Sequence, residues 1–150
     1  MKSPKKSILK NQAAFTLIEI LIVIGLFGLL AGLGLFLSFD FYKSYAFRSE
    51  RNTLVSVLEK ARNQSLSNIN QSPHGVHYMP NNYIIFQGSA YVAADPNNQA
   101  VPGNPVTVTW PGDFVFSQLA GESSASGTIT IIDGVRSTSI SINNEGRIDW

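Results

Sequence analysis

Hydrophobic and polar positions divide this chain into segments with different periodicities. Residues 20–37 are a run of 18 positions that are all aliphatic, Phe, Ala or Gly. A helix needs about 20 mostly apolar residues to cross a bilayer. The pattern therefore predicts a transmembrane helix over residues 15–39, with Phe15 and Phe39 as its first and last residues.

Helical periodicity continues beyond the apolar run, because no proline occurs between Lys5 and Pro73. One helix face collects small or apolar side chains, namely Phe47, Leu54, Leu58, Ala61 and Ser65. Spacings of three, four and seven residues are those of an amphipathic helix. We therefore predict one helix over about residues 16–69, with its amphipathic part in residues 40–70. The turn-forming residues of "SNINQSPHG" (67–75) end it.

From there the pattern changes to alternation, which is typical of strands with one buried face. Six short segments show it: "VHYM" (76–79), "YIIFQG" (83–88), "VTVTW" (106–110), "FVFS" (114–117), "TITIID" (128–133) and "STSISIN" (137–143). Turns rich in Asn, Pro and Gly separate them. Residues 71–150 are therefore predicted to form an antiparallel β-sheet packed on the outer half of the helix, an α+β fold.

The charges before the apolar run are all positive, since Lys2, Lys5, Lys6 and Lys10 lie there and no acid does. Cationic flanks stay on the cytoplasmic side of a membrane, which predicts that the C-terminal domain lies outside. The chain contains no Cys, so disulfides and thiol chemistry are excluded.

Three interpretations of the N-terminus compete. A secretory signal has its small cleavage residues after the apolar core, whereas Ala13 and Ala14 precede it here. A plain anchor leaves Glu19 unexplained, because an acid near the centre of a membrane helix costs roughly 2.5–3.5 kcal/mol. In the third interpretation, cleavage before Phe15 creates an amine one helical turn from Glu19.

The stretch "AAFTLIEILIVIGL" after a Lys-rich leader resembles the class III signal of type IV prepilins and type II secretion pseudopilins. The resemblance implies that prepilin peptidase removes residues 1–14 by cutting between Ala14 and Phe15. It also implies that Phe15 is N-methylated and that Glu19 is the carboxylate used in assembly. The family usually has Gly immediately before the cut, where this chain has Ala14.

The second half of the chain is similar to the GspH/FimT family of minor pilins and pseudopilins. The resemblance rests on "LEKARNQSLSN", "HGVHYMPNNYIIF" and "TITIIDGVRSTSISINNEGRI". Ala61-Arg62, Gly75-Val76 and Gly146-Arg147 occupy the places of the family's paired residues. The similarity implies a type IV pilin-like fold, in which a long helix packs on an antiparallel sheet.

Candidate chemistry elsewhere is sparse. His74 and His77 are three residues apart and could begin a metal site, but no Cys or nearby acid pair completes one. No phosphate-binding loop, nucleophile elbow or catalytic carboxylate pair occurs. The sequence thus predicts a protein that is not an enzyme and has no cofactor and no metal.

DNA binding is the alternative function, because some FimT-like minor pilins bind DNA during natural transformation. Such binding needs clustered cations. Beyond residue 62 the only Lys or Arg residues are Arg136 and Arg147, against six acids. These two arginines are therefore weak candidates for DNA contacts, and nucleic acid is not the expected partner. Arg147 with Trp150 is the nearest approach to a basic and aromatic cluster.

The sequence favours a structural minor subunit of a type IV pilus or type II secretion pseudopilus, acting in filament initiation, tip assembly and protein secretion. Its expected location is the inner membrane, crossed once, with the N-terminus cytoplasmic and the C-terminal domain periplasmic or extracellular, before it enters the filament. The expected partners are other pilin or pseudopilin subunits, prepilin peptidase and the inner-membrane assembly platform.

Overall fold

A computed structural model describes residues 15–150, apart from the side chains of residues 36–40. The single long helix, α1, spans Leu17–Leu66. The chain divides into two units, the first ending at Asp40 and the second comprising Phe41–Trp150. The second unit contains the C-terminal part of α1 and all of the described strands, so the predicted α+β class is confirmed.

Helix α1 ends at Leu66, slightly before the predicted end near residue 69. Asn68 adopts a left-handed conformation with φ of 53°, and a short 3-10 turn follows at Ile69–Gln71. Asn70 and Gln71 are also left-handed, with φ of 54° and 51°. Asparagine tolerates this conformation better than most residues and commonly terminates helices.

Eight strands follow the helix. They are β1 (His74–Met79), β2 (Asn82–Gln87), β3 (Gln99–Pro102), β4 (Thr107–Thr109), β5 (Phe114–Phe116), β6 (Gly127–Asp133), β7 (Arg136–Ile142) and β8 (Ile148–Asp149). They form two four-stranded sheets, with strand orders β3-β2-β1-β5 and β4-β6-β7-β8. Every pairing within the sheets is antiparallel.

All six predicted strands are present, but the prediction of one sheet was wrong and two strands were missed. Strand β3 is mostly exposed at a sheet edge and ends at a proline, so it shows no alternation of buried and exposed positions. Strand β8 has only two residues. Strand β3 was therefore missed because its exposed positions do not alternate with buried ones, and β8 because it is too short to show any period-two pattern.

The hydrophobic core lies between the second half of α1 and both sheets. From the helix it receives Phe47 and the fully buried Leu54, Leu58 and Ala61, as the periodicity predicted. The strands contribute Val76, Tyr83, Ile85, Phe114, Phe116, Ile129, Ile131, Ile140 and Ile142. Every member of this core belongs to the second unit.

Ser65, also fully buried, joins the end of α1 to two strands. Its hydroxyl donates to the carbonyl of Phe116 at 2.9 Å and accepts the backbone N–H of His74 at 2.8 Å. Its own carbonyl accepts the N–H of Leu119 at 3.0 Å. The last turn of α1 is thereby tied to β1 and β5 through the Ser65 hydroxyl, and the N–H of Leu119 satisfies one of its carbonyls.

Glu50 is the one buried acid in the described part of the chain, with 1% of its surface exposed. One carboxylate oxygen accepts the hydroxyl of Tyr83. The other accepts the backbone N–H of Asn104 at 2.5 Å and its side-chain amide at 3.2 Å. Buried charges need such partners, and here they fix the loop between β3 and β4 on the helix.

At two positions a glycine is required, because neighbouring atoms lie too close to leave room for a Cβ atom. A Cβ on Gly75 would lie 2.5 Å from Cζ of Phe86 and 2.8 Å from the carbonyl oxygen of Phe114. Gly146 has φ of 74°, and a Cβ there would overlap the carbonyl oxygen of Gly121, which also accepts Nε of Arg62 at 3.3 Å. Arg62 and Gly146, which belong to two of the pairs singled out by the family resemblance, thus lie next to each other in the fold.

Candidate functional site

The start of α1 is held by Thr16, which precedes the first helical residue. Its carbonyl accepts the backbone N–H groups of Glu19 and Ile20, at 3.1 and 3.3 Å. Its hydroxyl also accepts the N–H of Glu19, at 3.3 Å. This is the geometry of an N-cap, in which a side-chain oxygen satisfies a helix N–H that has no partner in the helix.

Glu19 is exposed and lies in the first turn of α1. The positive end of the helix dipole stabilises an acid there by about 0.3–1 kcal/mol. Thr16 and Glu19 also have the T-x-x-E spacing of a capping box. The acid in the apolar segment is therefore compatible with its own helix, and its carboxylate remains exposed.

The helix surface that follows is apolar. Residues Leu17–Leu35 form the one helix, among the residues that the structure describes, that is long and apolar enough to cross a membrane. None of it is buried, and its large side chains range from 46% exposed at Val23 to 81% at Leu17. Phe15, directly before the cap, is 76% exposed.

Part of the predicted processing site lies outside the described residues. The structure does not describe Ala14 or the leader before it, nor the side chain of Phe39 at the far end of the predicted membrane span. Phe15 and Glu19 lie on either side of the Thr16 cap, at the start of one exposed helix. Both side chains are exposed.

Residues 9–35 match the family model of the prokaryotic N-terminal methylation motif. Comparison with the curated proteins found no match, and comparison with the solved structures found none either. The matched residues include the cap, Glu19 and the apolar surface. The motif, with the apolar helix and the α+β second unit, indicates a type IV prepilin-like protein, a structural class rather than an enzymatic one.

The two arginines predicted as weak DNA contacts do not lie together. Arg136 begins β7, opposite Asp133 in the β6–β7 pairing. Arg147 lies beyond the other end of β7, about 20 Å away at the usual rise per residue of a strand. Arg147 also forms an ion pair with Asp149, with Nη2 and Oδ2 separated by 2.8 Å.

Arg147 instead faces a groove of about 370 Å³ with Arg62 and Trp150. Glu59, Asn63 and Ile148 complete the groove. Arg62 and Arg147 are 85 residues apart in the sequence and come together only through tertiary packing, so no local pattern connects them. Arg147 and Trp150 line the same groove, as the sequence suggested, and Arg62 adds a second cation and Glu59 an acid.

His74 and His77 occupy opposite faces of β1, as odd spacing in a strand requires. His74 is 4% exposed, and burial lowers the pKa of its imidazole, an effect that the Ser72 carbonyl partly offsets. His77 pairs through Nδ1 with Asp113 at 2.8 Å and stacks on Tyr91 at 4.0 Å between ring centroids. Within residues 15–150, no three His, Asp or Glu side chains are grouped to hold a metal ion.

Proposed function

We propose that this chain is a minor pilin-like subunit of a type IV pilus or type II secretion pseudopilus, of the GspH/FimT kind, acting in filament initiation, tip assembly and protein secretion. The observation that carries the proposal is the N-terminal methylation motif at residues 9–35, which coincides with a capped, apolar and exposed helix. A membrane anchor alone needs no acid at Glu19.

In this proposal prepilin peptidase cuts between Ala14 and Phe15 and methylates the new amine. The four lysines of the leader keep residues 1–14 cytoplasmic. Residues 15–39 cross the inner membrane, residues 40–70 continue as the amphipathic helix, and residues 71–150 supply the sheets. The second unit is then periplasmic or extracellular, and other subunits and the inner-membrane assembly platform are its partners.

Glu19 has a specific part in this proposal. The amine of Phe15 is a cation at a helix N-terminus, where the dipole disfavours it. A carboxylate and an ammonium attract strongly in low dielectric, provided that each is the other's partner. The exposed carboxylate of Glu19 is available to the amine of an adjacent subunit, so assembly compensates both charges.

Mass spectrometry of the membrane form tests processing, and the expected N-terminus is methylated Phe15. Ala14→Gly should speed cleavage, because Gly is the residue usual in the family. An intact N-terminus at Met1, or a cut after the apolar run, would contradict the proposal.

Variants of Glu19 test assembly separately from processing. Glu19→Val and Glu19→Gln should both remain in the membrane and be cleaved, but should be absent from purified filaments. Glu59→Val, which removes an exposed acid from the second unit, is the matched control and should assemble normally. Cleaved, methylated Glu19→Val entering filaments at the wild-type level would refute the assembly role.

DNA binding during natural transformation remains the second candidate function, and the groove that joins Arg62, Arg147 and Trp150 favours it. If the groove holds DNA, Arg147→Ala should weaken binding while Arg136→Ala should not. The logarithm of the binding constant should fall with the logarithm of salt by about 0.9 per phosphate contact. Fluorescence anisotropy with duplex DNA measures both, and equal effects of the two variants would exclude the groove.

A further inference from the structure

Exposed aromatic side chains of the second unit are concentrated at its beginning. Among the described residues of this unit they are Phe41, Tyr42, Tyr45 and Trp150. The first three, which are 69–74% exposed, lie within five residues, directly after the predicted membrane span over residues 15–39. Large aromatic side chains gain free energy by leaving water, so a group of them on the surface indicates a binding partner.

One face of α1 carries two of these rings. Phe41, Ser44, Tyr45 and Arg48 have the spacing of a single helix face, and together they line a groove of about 400 Å³. Phe47, by contrast, faces the core and is buried, so these four residues take no part in the core of their own unit. We call them the Phe41–Arg48 stripe.

The exposed charge around the stripe is positive. Between residues 41 and 58 the basic side chains are Lys43, Arg48 and Arg51, and the one acid is Glu50. Glu50 is buried and occupied by the hydrogen bonds described above. The ion pairs of the described residues all lie beyond residue 70, so none of them engages Arg48. Its guanidinium is therefore available to an external anion.

Rings and cations in this combination are typical of the layer in which a bilayer meets water. Tyrosine collects there because its ring is apolar and its hydroxyl is polar. Arginine lays its apolar stem along the surface and places its cation among the lipid phosphates. A protein partner would suit the rings equally well, but it would not account for their place two residues after the predicted span. Position and charge together favour lipid.

The dimensions of the stripe match that layer. The layer is about 5–8 Å thick in each leaflet, and Tyr45 and Arg48 follow Phe41 by about 6 and 10.5 Å along the helix axis. Because Cα–Cβ bonds in a helix tilt towards its N-terminus, the side chain of Arg48 leans back towards the rings. A phosphate in the groove is then within reach of Arg48 and of the Ser44 hydroxyl.

We propose that the Phe41–Arg48 stripe binds the headgroup of an anionic phospholipid, in the leaflet on the opposite side of the membrane from the leader. Arg48 donates charge-assisted hydrogen bonds to the phosphate, and Phe41 and Tyr45 pack against the glycerol and the first acyl carbons. The bound lipid holds the beginning of the second unit at the membrane surface. This proposal rests on the membrane crossing proposed above for residues 15–39.

Photocrosslinking of the full chain in lipid nanodiscs tests the proposal, because it identifies what touches one chosen residue. The photoreactive amino acid p-benzoylphenylalanine replaces Tyr45, whose ring it resembles, in nanodiscs made of equal amounts of phosphatidylcholine and phosphatidylglycerol. Mass spectrometry of the crosslinked peptide identifies the partner. We expect phospholipid adducts that favour phosphatidylglycerol by about fivefold at low salt. Adducts with equal amounts of the two lipids would overturn the proposal.

Arg48→Gln is the decisive variant, and since Arg48 is exposed the fold should persist. It should reduce the preference for phosphatidylglycerol to less than about twofold, whereas Arg48→Lys keeps the charge and should keep most of the preference. Lys60→Gln is the matched control, because it also removes an exposed cation from α1. Lys60 lies about 18 Å further along the helix, so the preference should not change. A preference that survives Arg48→Gln would overturn the proposal.

Two further crosslinking positions separate a failure of the stripe from a failure of the membrane crossing. At Leu26, within the predicted span, we expect lipid adducts, and at the exposed Ser56 we expect none. Lipid adducts at Leu26 without any at Tyr45, or adducts at Tyr45 only to another protein chain, would overturn the proposal and leave the crossing intact. Absence of lipid adducts at both positions would contradict the crossing itself and, with it, this proposal.

Discussion

Replacing Tyr83 with Phe removes a single oxygen atom from the centre of the second unit. Tyr83 is fully buried, and its hydroxyl donates to the carboxylate of Glu50. Phe keeps the ring, so contacts with Tyr78 and Trp110, at centroid distances of 5.6 and 6.0 Å, remain possible. The variant therefore isolates one hydrogen bond to a buried charge.

The expected loss follows from the surroundings of Glu50. Hydrogen bonds to charged groups contribute about 1.5–3 kcal/mol. Both bonds from Asn104 persist in the variant, so the carboxylate is left partly rather than wholly unsatisfied. We expect Tyr83→Phe to lower the free energy of unfolding by about 2 kcal/mol, which moves the urea midpoint by roughly 1.3 M.

Urea unfolding of a fragment comprising residues 41–150, followed by circular dichroism, measures this loss. Tyr78→Phe is the matched control, because the hydroxyl of Tyr78 forms no hydrogen bond with the residues that the structure describes. It should cost less than about 0.5 kcal/mol. The double variant Tyr83→Phe/Glu50→Leu should cost about 1–2 kcal/mol less than the sum of its parts.

The pH dependence provides an independent check. Burial and the hydrogen bond to Glu50 raise the pKa of Tyr83 above its ordinary value of 10.0. Above pH 10.0 the unfolded chain loses this proton before the folded chain does, so stability should fall as pH rises. Tyr83→Phe should reduce that fall. The account of Glu50 would be refuted if Tyr83→Phe lowered the free energy of unfolding by less than about 0.5 kcal/mol and if the effects of Tyr83→Phe and Glu50→Leu simply added in the double variant.

Three further results are expected. Gly146→Ala should lower the free energy of unfolding by about 3 kcal/mol and Gly134→Ala by about 1 kcal/mol. Both glycines have positive φ, but only at Gly146 would a methyl group overlap a backbone carbonyl. Similar thermal midpoints for the two variants would contradict this. The free energy of unfolding should fall as pH drops below 6.5, since burial lowers the pKa of His74 and the unfolded chain binds the proton first. Urea titrations at several pH values should show that this dependence of stability on pH is weaker in His74→Leu. An unchanged dependence in the variant would contradict the role given to His74. Thr16→Ala should speed amide hydrogen exchange at Glu19 about fivefold and Thr16→Ser should not; equal rates would show that the cap contributes nothing.

The helix was predictable in detail because its signals are local. An uninterrupted apolar run fixes the exposed segment, and a period of 3.6 residues places Leu54, Leu58 and Ala61 on one buried face. The end of α1 was also near its predicted place, since the asparagines of the following turn take up left-handed conformations.

The division of the strands into two sheets could not be read from the sequence. Alternation shows which residues face a core, but it does not say which strand pairs with which. Strand β4 pairs with β6 rather than with its neighbour β5, and β1 pairs with β5. Such pairings depend on packing across the helix, which a local pattern does not contain.

Glu50 was not predicted as a buried acid, although the sequence indicates it. It lies three residues after Phe47 and four before Leu54, so helical spacing already puts it on the buried face. An acid at such a position implies buried donors. Their identity, Tyr83 and Asn104, comes from strand β2 and the loop after β3 and could not be inferred.

The position of Ser65 affects how this unit can fold. Its hydroxyl reaches Phe116 across 51 residues of sequence, and the hydrophobic core to which α1 contributes also includes Ile140 and Ile142 of β7. During synthesis the apolar face of α1 therefore emerges long before its last partners do. Contacts so distant along the chain make folding slow, and uncovered apolar surface with unpaired strand edges favours aggregation. The interval between the emergence of α1 and of β7 is when this chain most needs protection from other chains.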